Sequence, residues 1–293
     1  MLLHMPATPL CIAPIAGTCA VYQSWVNFHA ANAANTAFPG YAVVKPFTKV
    51  CGEDVMATLK AIARNDQLLW VALSYLLYSV ANVATTGVLF YQFKYVLGAP
   101  NSFSIAGVIP VITGLVTTPL YPVLNRRIPR RWLYTAGMAL MIAGYTLFII
   151  APMNLPVVIV ALVLFYLPAQ TIQMTAILSM TDSIEYGQLK TGKRNEAVTL
   201  SVRPMLDKIA GALSNGIVGF VVVAAGMVGN ATAADMTAAN IRTFKTCAYY
   251  LPLAGIVASL VVFLLTVKID ENMHDRIVEQ LEARLASEET DKQ

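Results

Sequence analysis

Charged residues are scarce in this sequence. Asp, Glu, Lys and Arg make up 12% of its 293 residues, whereas about 25% is usual for a soluble domain. Hydrophobic residues make up 57%, so too few charges remain to coat a water-soluble globule. The formal net charge of +4 is small and gives no basis for nucleic-acid binding. The composition predicts a membrane protein with lipid as a partner and no nucleic-acid partner.

Cysteine and histidine are also scarce. The four cysteines are scattered without a C-x-x-C pair: Cys11, Cys19, Cys51 and Cys247. This spacing argues against a disulfide framework and against a zinc site. The three histidines lie outside the strongly hydrophobic stretches: His4, His29 and His274. No nucleophile, metal or nucleotide motif stands out, so the chain is predicted not to be an enzyme and to need no cofactor.

Long hydrophobic runs begin at Leu68. About 20 apolar residues span the hydrocarbon core of a bilayer, and such a span must be helical because lipid offers no partner to a free backbone group. Six segments qualify, near 68–96, 103–124, 132–151, 157–181, 198–228 and 244–267. The sequence therefore predicts an all-α membrane protein with a six-helix bundle over residues 68–267.

The two ends differ from this bundle. Residues 1–44 contain no charged side chain, but their best apolar stretch is interrupted by Pro14 and Gly17. We expect residues 1–44 to be an atypical N-terminal segment that contains a doubtful membrane span. A frameshifted reading frame is one origin that would explain such a segment. Residues 45–67 are polar and mildly basic. In the tail, 268–293, apolar residues four apart predict a short amphipathic surface helix: Ile277, Leu281 and Leu285.

The positions of the cations predict an orientation. The second connection holds four arginines: Arg126, Arg127, Arg130 and Arg131. The fourth connection, 182–197, contributes three more cations, Lys190, Lys193 and Arg194, while the first and third have no charge. Short basic connections stay on the cytoplasmic side. The region before Leu68, the second and fourth connections and the C-terminus are therefore predicted to be cytoplasmic, in a multi-pass protein of the cytoplasmic membrane.

Ionisable residues occur inside the fifth hydrophobic segment. At 100° per residue, Glu196, Arg203 and Asp207 fall within about 40° of one helix face. Arg203 and Asp207 are four apart and can pair. Lys208 lies roughly a third of a turn away, free to meet another helix. Charges this deep are costly and usually mark a pathway or a pair. A structural pair with a snorkelling Lys208 stays open, but a substrate or cation pathway is favoured.

The first segment carries polar and aromatic side chains. Tyr78 and Asn82 are candidates for lining a sugar pathway, because aromatic faces stack on sugars while amides bond their hydroxyls. Tyr91 and Tyr95 near the predicted outer boundary fit an interfacial belt equally well.

The fourth connection reads DSIEYGQLKTGKRNE. Its charges mix both signs over a short stretch: Asp182, Glu185, Lys190, Lys193, Arg194 and Glu196. An ordinary solvated loop is one interpretation. The mixture favours a second one, a salt-bridge cluster that holds two helices in one conformation.

This motif, the following SVRPMLDKIAGA and residues 65–98 resemble the glycoside-pentoside-hexuronide:cation symporters of the major facilitator superfamily. Within them the chain is similar to lactose, raffinose and galactoside permeases of lactic-acid bacteria. The resemblance covers roughly residues 45–267. It implies the C-terminal six-helix half of a twelve-helix fold, with sugar and coupling cation, H⁺ or Na⁺, bound between two halves.

The resemblance also implies residue roles. Lys208 matches a lysine that faces the cation and sugar site, and the charged connection matches a gating and coupling loop. In lactose-type members a histidine can precede the loop arginine, whereas Lys193 stands there in this chain. Residues 45–67 match the remnant of the central loop, so the front six helices of the family have no counterpart.

Two functions follow as expectations. One is sugar:cation symport by a half-transporter that is inactive alone and needs an N-terminal half or another copy. The other is a non-transporting membrane remnant or interaction protein derived from such a permease.

Overall fold

A computed structural model describes residues 64–150, 154–191, 196–229, 231–267 and 271–290. The predictions for residues 1–44 and for most of 45–67 lie outside this part of the chain, as do Lys193 and Arg194. The described residues form helices and short connections, and none of them is in a strand.

Eight α-helices run in chain order through the described residues. They are α1 Asp66–Tyr91, α2 Phe103–Asn125, α3 Arg130–Ile150, α4 Leu155–Thr191, α5 Glu196–Ala224, α6 Ala238–Lys245, α7 Leu251–Thr266 and α8 Glu271–Thr290. A π-helical turn, Gln92–Val96, extends α1, and a second one, Thr246–Tyr250, joins α6 to α7. The C-terminal tail thus contains the helix α8.

Among the described residues, six helical segments are long and apolar enough to cross a membrane. They are Asp66–Val96, Pro100–Asn125, Arg130–Ile150, Leu155–Lys190, Thr199–Ala224 and Ala238–Thr266. This confirms the prediction of an all-α membrane protein with six spans. The predicted bounds differ by a few residues, except at the end of the fourth span.

The fourth span corrects the interpretation of the charged connection as a loop. Helix α4 has 37 residues, or roughly 55 Å, and continues through Asp182, Glu185 and Lys190 to Thr191. Its far end projects beyond a hydrocarbon core of about 30 Å. The extension stays helical because neighbouring helices supply partners for these charges, as described below. Glu196 is likewise the first residue of α5 rather than part of a loop.

Helix α1 lies at the centre of the bundle. It packs against α5 on one side and α7 on another, while α4 packs against α2 and α3. Asn65 fixes the start of α1, since its side chain accepts from the Leu68 amide at 3.1 Å and donates to the Ser183 carbonyl of α4 at 2.7 Å. The start of α1 is therefore tied to the far end of α4.

Buried hydroxyl groups join three of the helices. Ser74 of α1, Tyr134 of α3 and Ser259 of α7 lie within 3.0–3.1 Å of one another through their side-chain oxygens. The Tyr134 ring also stacks on Phe263 of α7, with ring centroids 3.9 Å apart. Because lipid cannot satisfy these groups, the network favours one register of α1, α3 and α7.

Candidate functional site

One face of α1 is polar at mid-membrane depth. Tyr75, Tyr78, Asn82 and Thr86 fall within about 80° of arc at 100° per residue. Asn82 is 16 residues after Asp66, where α1 begins, or roughly 24 Å along the helix. A span of 31 residues is roughly 46 Å long, so Asn82 lies near its middle.

This polar face meets the charged residues of α5. The Tyr75 hydroxyl donates to Asp207 Oδ1 at 2.7 Å, and Arg203 Nε lies 3.9 Å from Asp207 Oδ2. The predicted Arg203–Asp207 ion pair is therefore present. Asp207 is eight residues beyond Thr199, where the fifth span begins, or roughly 12 Å into it. The pair is only partly buried, because the Asp207 and Arg203 side chains are 39% and 35% exposed.

Asn82 is the least satisfied member of the polar face. Its side-chain oxygen is buried and has no hydrogen-bond partner. The neighbouring Thr86 hydroxyl instead donates to the Asn82 backbone carbonyl at 3.0 Å. A buried acceptor without a donor costs about 1–3 kcal/mol. The position thus suits a ligand that brings its own donor.

The other predicted pathway residues lie in different settings. Tyr78 is buried, and its hydroxyl donates to the Ala169 carbonyl of α4 at 3.1 Å, so it also joins two helices. Lys208 is exposed and has no hydrogen bond or ion pair with the described residues.

A second group of charges lies at the far end of α4. Arg130 of α3 forms a salt bridge with Asp182. His274 of α8 approaches two carboxylates with the same nitrogen, at 3.8 Å from Asp182 and 3.9 Å from Glu185. Side chains of α3, α4 and α8 therefore meet at one place, which we call the α4-end cluster: Arg130, Asp182, Glu185 and His274.

A separate ion pair ties α4 to the start of α1. Lys190 lies 2.5 Å from Asp66 Oδ1, which also accepts from the Tyr186 hydroxyl at 3.1 Å. Both charged side chains are 46% exposed, so solvent screens the pair and it adds little to stability. It sets the position of the helices more than it stabilises them.

Sequence reasoning missed three of these partners. Tyr75 was not predicted to be a partner of Asp207, and Arg130 was recognised only as a cation of the second connection. His274 was set aside because it lies outside the hydrophobic segments. No local signal identifies them, since each bond joins residues 52 to 132 positions apart. Among the described residues there is no group of His, Cys, Asp and Glu that could hold a metal ion.

Comparison with known proteins gives consistent matches. The family model for "MFS/sugar transport protein" matches residues 53–271. The chain is 51% identical over 232 residues to a lactose permease of Lactobacillus helveticus, and 53% over 226 residues to one of Leuconostoc lactis. It is 40% identical over 228 residues to a raffinose carrier protein of Pediococcus pentosaceus.

These matches cover unequal shares of the two sequences. They include 79%, 77% and 78% of this chain, in the same order, but only 36%, 35% and 36% of the relatives. The chain thus matches about a third of the length of these curated relatives.

Proposed function

Because the chain belongs to the MFS/sugar transport protein family, we propose that its six-helix bundle forms one side of a sugar pathway across the bacterial cytoplasmic membrane. The proposed substrates are galactosides and related oligosaccharides, since the relatives are named for lactose and raffinose. The sugar moves together with H⁺ or Na⁺. A second six-helix unit, an N-terminal half or another copy, supplies the opposite side, and the two rock around the central site.

The unpartnered Asn82 oxygen carries this proposal. It lies near the middle of a membrane span, on the same face as Tyr75 and Thr86, and lacks only a donor. A sugar offers many hydroxyl donors and an apolar ring face for an aromatic side chain. Lipid offers neither, so the polar face of α1 suits a hydrated sugar pathway.

The charges of α5 support the same assignment. A charged side chain at the centre of a bilayer costs about 2.5–3.5 kcal/mol on insertion scales. Arg203 and Asp207 offset part of this by pairing, whereas Lys208 has no partner in the described structure. An aqueous cavity beside a second bundle would remove the cost, and there Lys208 and Asp207 would meet the sugar or the cation.

The α4-end cluster and the Lys190–Asp66 pair form the gate in this proposal. They join the ends of α1, α3, α4 and α8 on the side predicted to be cytoplasmic. Rocking of the bundle changes the separations between helix ends, so these contacts would favour one of the two access states. Lys193, Arg194 and Glu196 continue the same charged motif into α5.

A segment exchange tests the pathway. Residues 53–271 replace the matching segment of the Leuconostoc lactis lactose permease, and uptake of radiolabelled lactose is measured in a host without lactose transport. We expect uptake, and we expect Asn82→Leu to reduce it about 10- to 100-fold by removing a hydrogen bond to the sugar. Val257→Leu on an exposed face of α7 is the matched control.

The alternative is a membrane protein that no longer transports. A hybrid that reaches the membrane in normal amount but takes up no lactose would favour this alternative and contradict the pathway proposal. Where uptake occurs, imposing a pH gradient and a Na⁺ gradient separately identifies the coupling ion.

A further inference from the structure

The bundle contains a concave apolar site, away from the polar face of α1. Helices α5 and α7 both pack on α1 but leave a cleft of about 370 Å³ between them. Leu76, Val80 and Ala84 of α1 line its floor, while Leu213 of α5 and Ala258 of α7 line its walls. Every side chain that lines it is apolar. We call it the α1–α5–α7 cleft.

The cleft is kept open by contacts on either side of it. The Ser214 hydroxyl of α5 donates to the Val80 carbonyl of α1 at 2.9 Å, which fixes α5. On the other side, the Ser74–Ser259 network and the close approach of Gly255 to Ala81 fix α7. Neither α5 nor α7 can move to close the cleft without breaking these hydrogen bonds to α1.

The cleft offers nothing to a polar ligand. The floor carbonyls beside it are already occupied, because Val80 accepts from Ser214 and Ala81 accepts from Thr85 at 2.9 Å. Water would have none of the two to four partners that it needs in a buried site. A sugar would lose its hydrogen bonds there, so the cleft is not part of the sugar pathway.

The dimensions and position match a hydrocarbon chain. An apolar cavity of about 150 Å³ holds benzene, so 370 Å³ holds roughly fifteen carbons. Leu76 and Ala84 lie eight residues apart, or roughly 12 Å, close to the thickness of one leaflet of hydrocarbon.

We propose that the α1–α5–α7 cleft binds one acyl chain of a membrane phospholipid. Leu76, Val80 and Ala84 lie on the side of α1 opposite Asn82, so the cleft opens towards lipid and not towards the sugar pathway. A cleft left empty would forfeit dispersion contacts along all its walls. The bound chain fills the space between α5 and α7. It thereby supports the position of α5, the helix that carries Arg203 and Asp207.

Photolabelling tests the proposal. The full chain is placed in lipid nanodiscs of phosphatidylglycerol that carries a diazirine midway along one acyl chain, irradiated, and mapped by mass spectrometry. We expect label on Leu213 and Leu251, at the cleft, to exceed label on the comparably exposed Val111 of α2. Ala258→Phe should lower cleft labelling about tenfold, the effect of losing roughly two buried methylene groups.

Val257→Phe is the matched control, since Val257 is exposed one residue away and does not line the cleft. It should leave cleft labelling unchanged. Equal labelling of cleft and non-cleft residues in the unsubstituted chain would overturn the proposal. This comparison uses the unsubstituted chain alone, so it does not depend on whether a variant folds. Cleft residues that link to a second protein copy instead of lipid would also overturn it.

Discussion

At the scale of single residues, Asp207 owes its position to an ion-pair partner and a hydrogen-bond donor on different helices. Its own helix supplies Arg203, and α1 supplies the Tyr75 hydroxyl. Residues 203 and 207 are four apart, so that pairing was predictable from helical periodicity. Tyr75 was not, because no local rule brings residues 132 positions apart together.

Tyr75→Phe should lower the free energy of unfolding by about 1 kcal/mol, the usual net worth of such a hydrogen bond. Asp207 keeps its contact with Arg203 after this change. The measurement is thermal unfolding of the purified chain in detergent. Tyr250→Phe is the control, since Tyr250 is 52% exposed, and equal effects of the two substitutions would contradict the assigned role.

Gly144 marks a close approach of α3 to the backbone of α4. A methyl group there would lie 3.3 Å from the Ala161 carbonyl and 3.3 Å from the Phe165 amide, both backbone atoms that cannot rotate away. Gly107 of α2, in contrast, has open space around it.

Gly144→Ala should therefore destabilise the bundle by about 1–3 kcal/mol through overpacking. Gly107→Ala should be neutral or stabilise by up to about 1 kcal/mol, because Ala is the better helix former. Thermal unfolding of the two variants under identical conditions makes the comparison. A Gly144→Ala variant as stable as the unsubstituted chain would show that the two helices pack less closely.

At the scale of helices, α4 shows how tertiary contacts override a local prediction. Its charged end has the composition of a loop and was predicted as one. The structure keeps it helical because Arg130 and His274 approach its carboxylates, while Asp66 meets Lys190. Side chains that were predicted to be solvated in a loop therefore form ion pairs between helices instead.

Asp182→Asn should loosen α8 from the bundle. It removes the charge that faces both Arg130 and His274, and breaking a partly buried ion pair costs about 2 kcal/mol or more. We expect faster hydrogen exchange across 273–283 and faster tryptic cleavage after Arg276. Glu279→Gln on the exposed side of α8 should change neither rate. Unchanged protection in Asp182→Asn would mean that apolar contacts of Ile277 alone hold α8.

At the scale of the whole molecule, much apolar surface is open to the surroundings. Several large side chains of α2 are more than half exposed, among them Val111 at 60% and Leu115 at 73%. Lipid is a suitable solvent for these. It is a poor one for the exposed Lys208, which we expect to be covered by a second six-helix unit.

The proposed orientation predicts a labelling pattern. In a cysteine-free background, Ala234→Cys between α5 and α6 should react with a membrane-impermeant maleimide on intact cells. Arg127→Cys between α2 and α3 should react only after the cells are permeabilised, because basic connections stay in the cytoplasm. The reverse pattern would invert the orientation and place α8 outside.

Expressed alone in a transport-deficient host, the chain should give no lactose uptake above an empty vector. The physical reason is that alternating access needs two bundles around the site. Detection of the chain in the membrane fraction is the control for expression. Robust uptake by the chain alone would contradict this, unless chemical crosslinking showed that two copies had assembled.

The sequence by itself determined the six spans among the described residues, their helical character and the Arg203–Asp207 pair. Each depends on residues close together in the chain: a run of apolar residues long enough to cross lipid, or the helical repeat of 3.6 residues. The charged motif also indicated the family, which the comparisons confirm.

Only the tertiary structure decided which of these residues meet. The Tyr75–Asp207 bond, the α4-end cluster and the α1–α5–α7 cleft depend on distances between helices that are remote in sequence. Hydropathy and periodicity specify which face of a helix is polar, but not which neighbour it faces. The same physics explains why the end of α4 was predicted as a loop: its charges become stable in a helix only when other helices bring their partners.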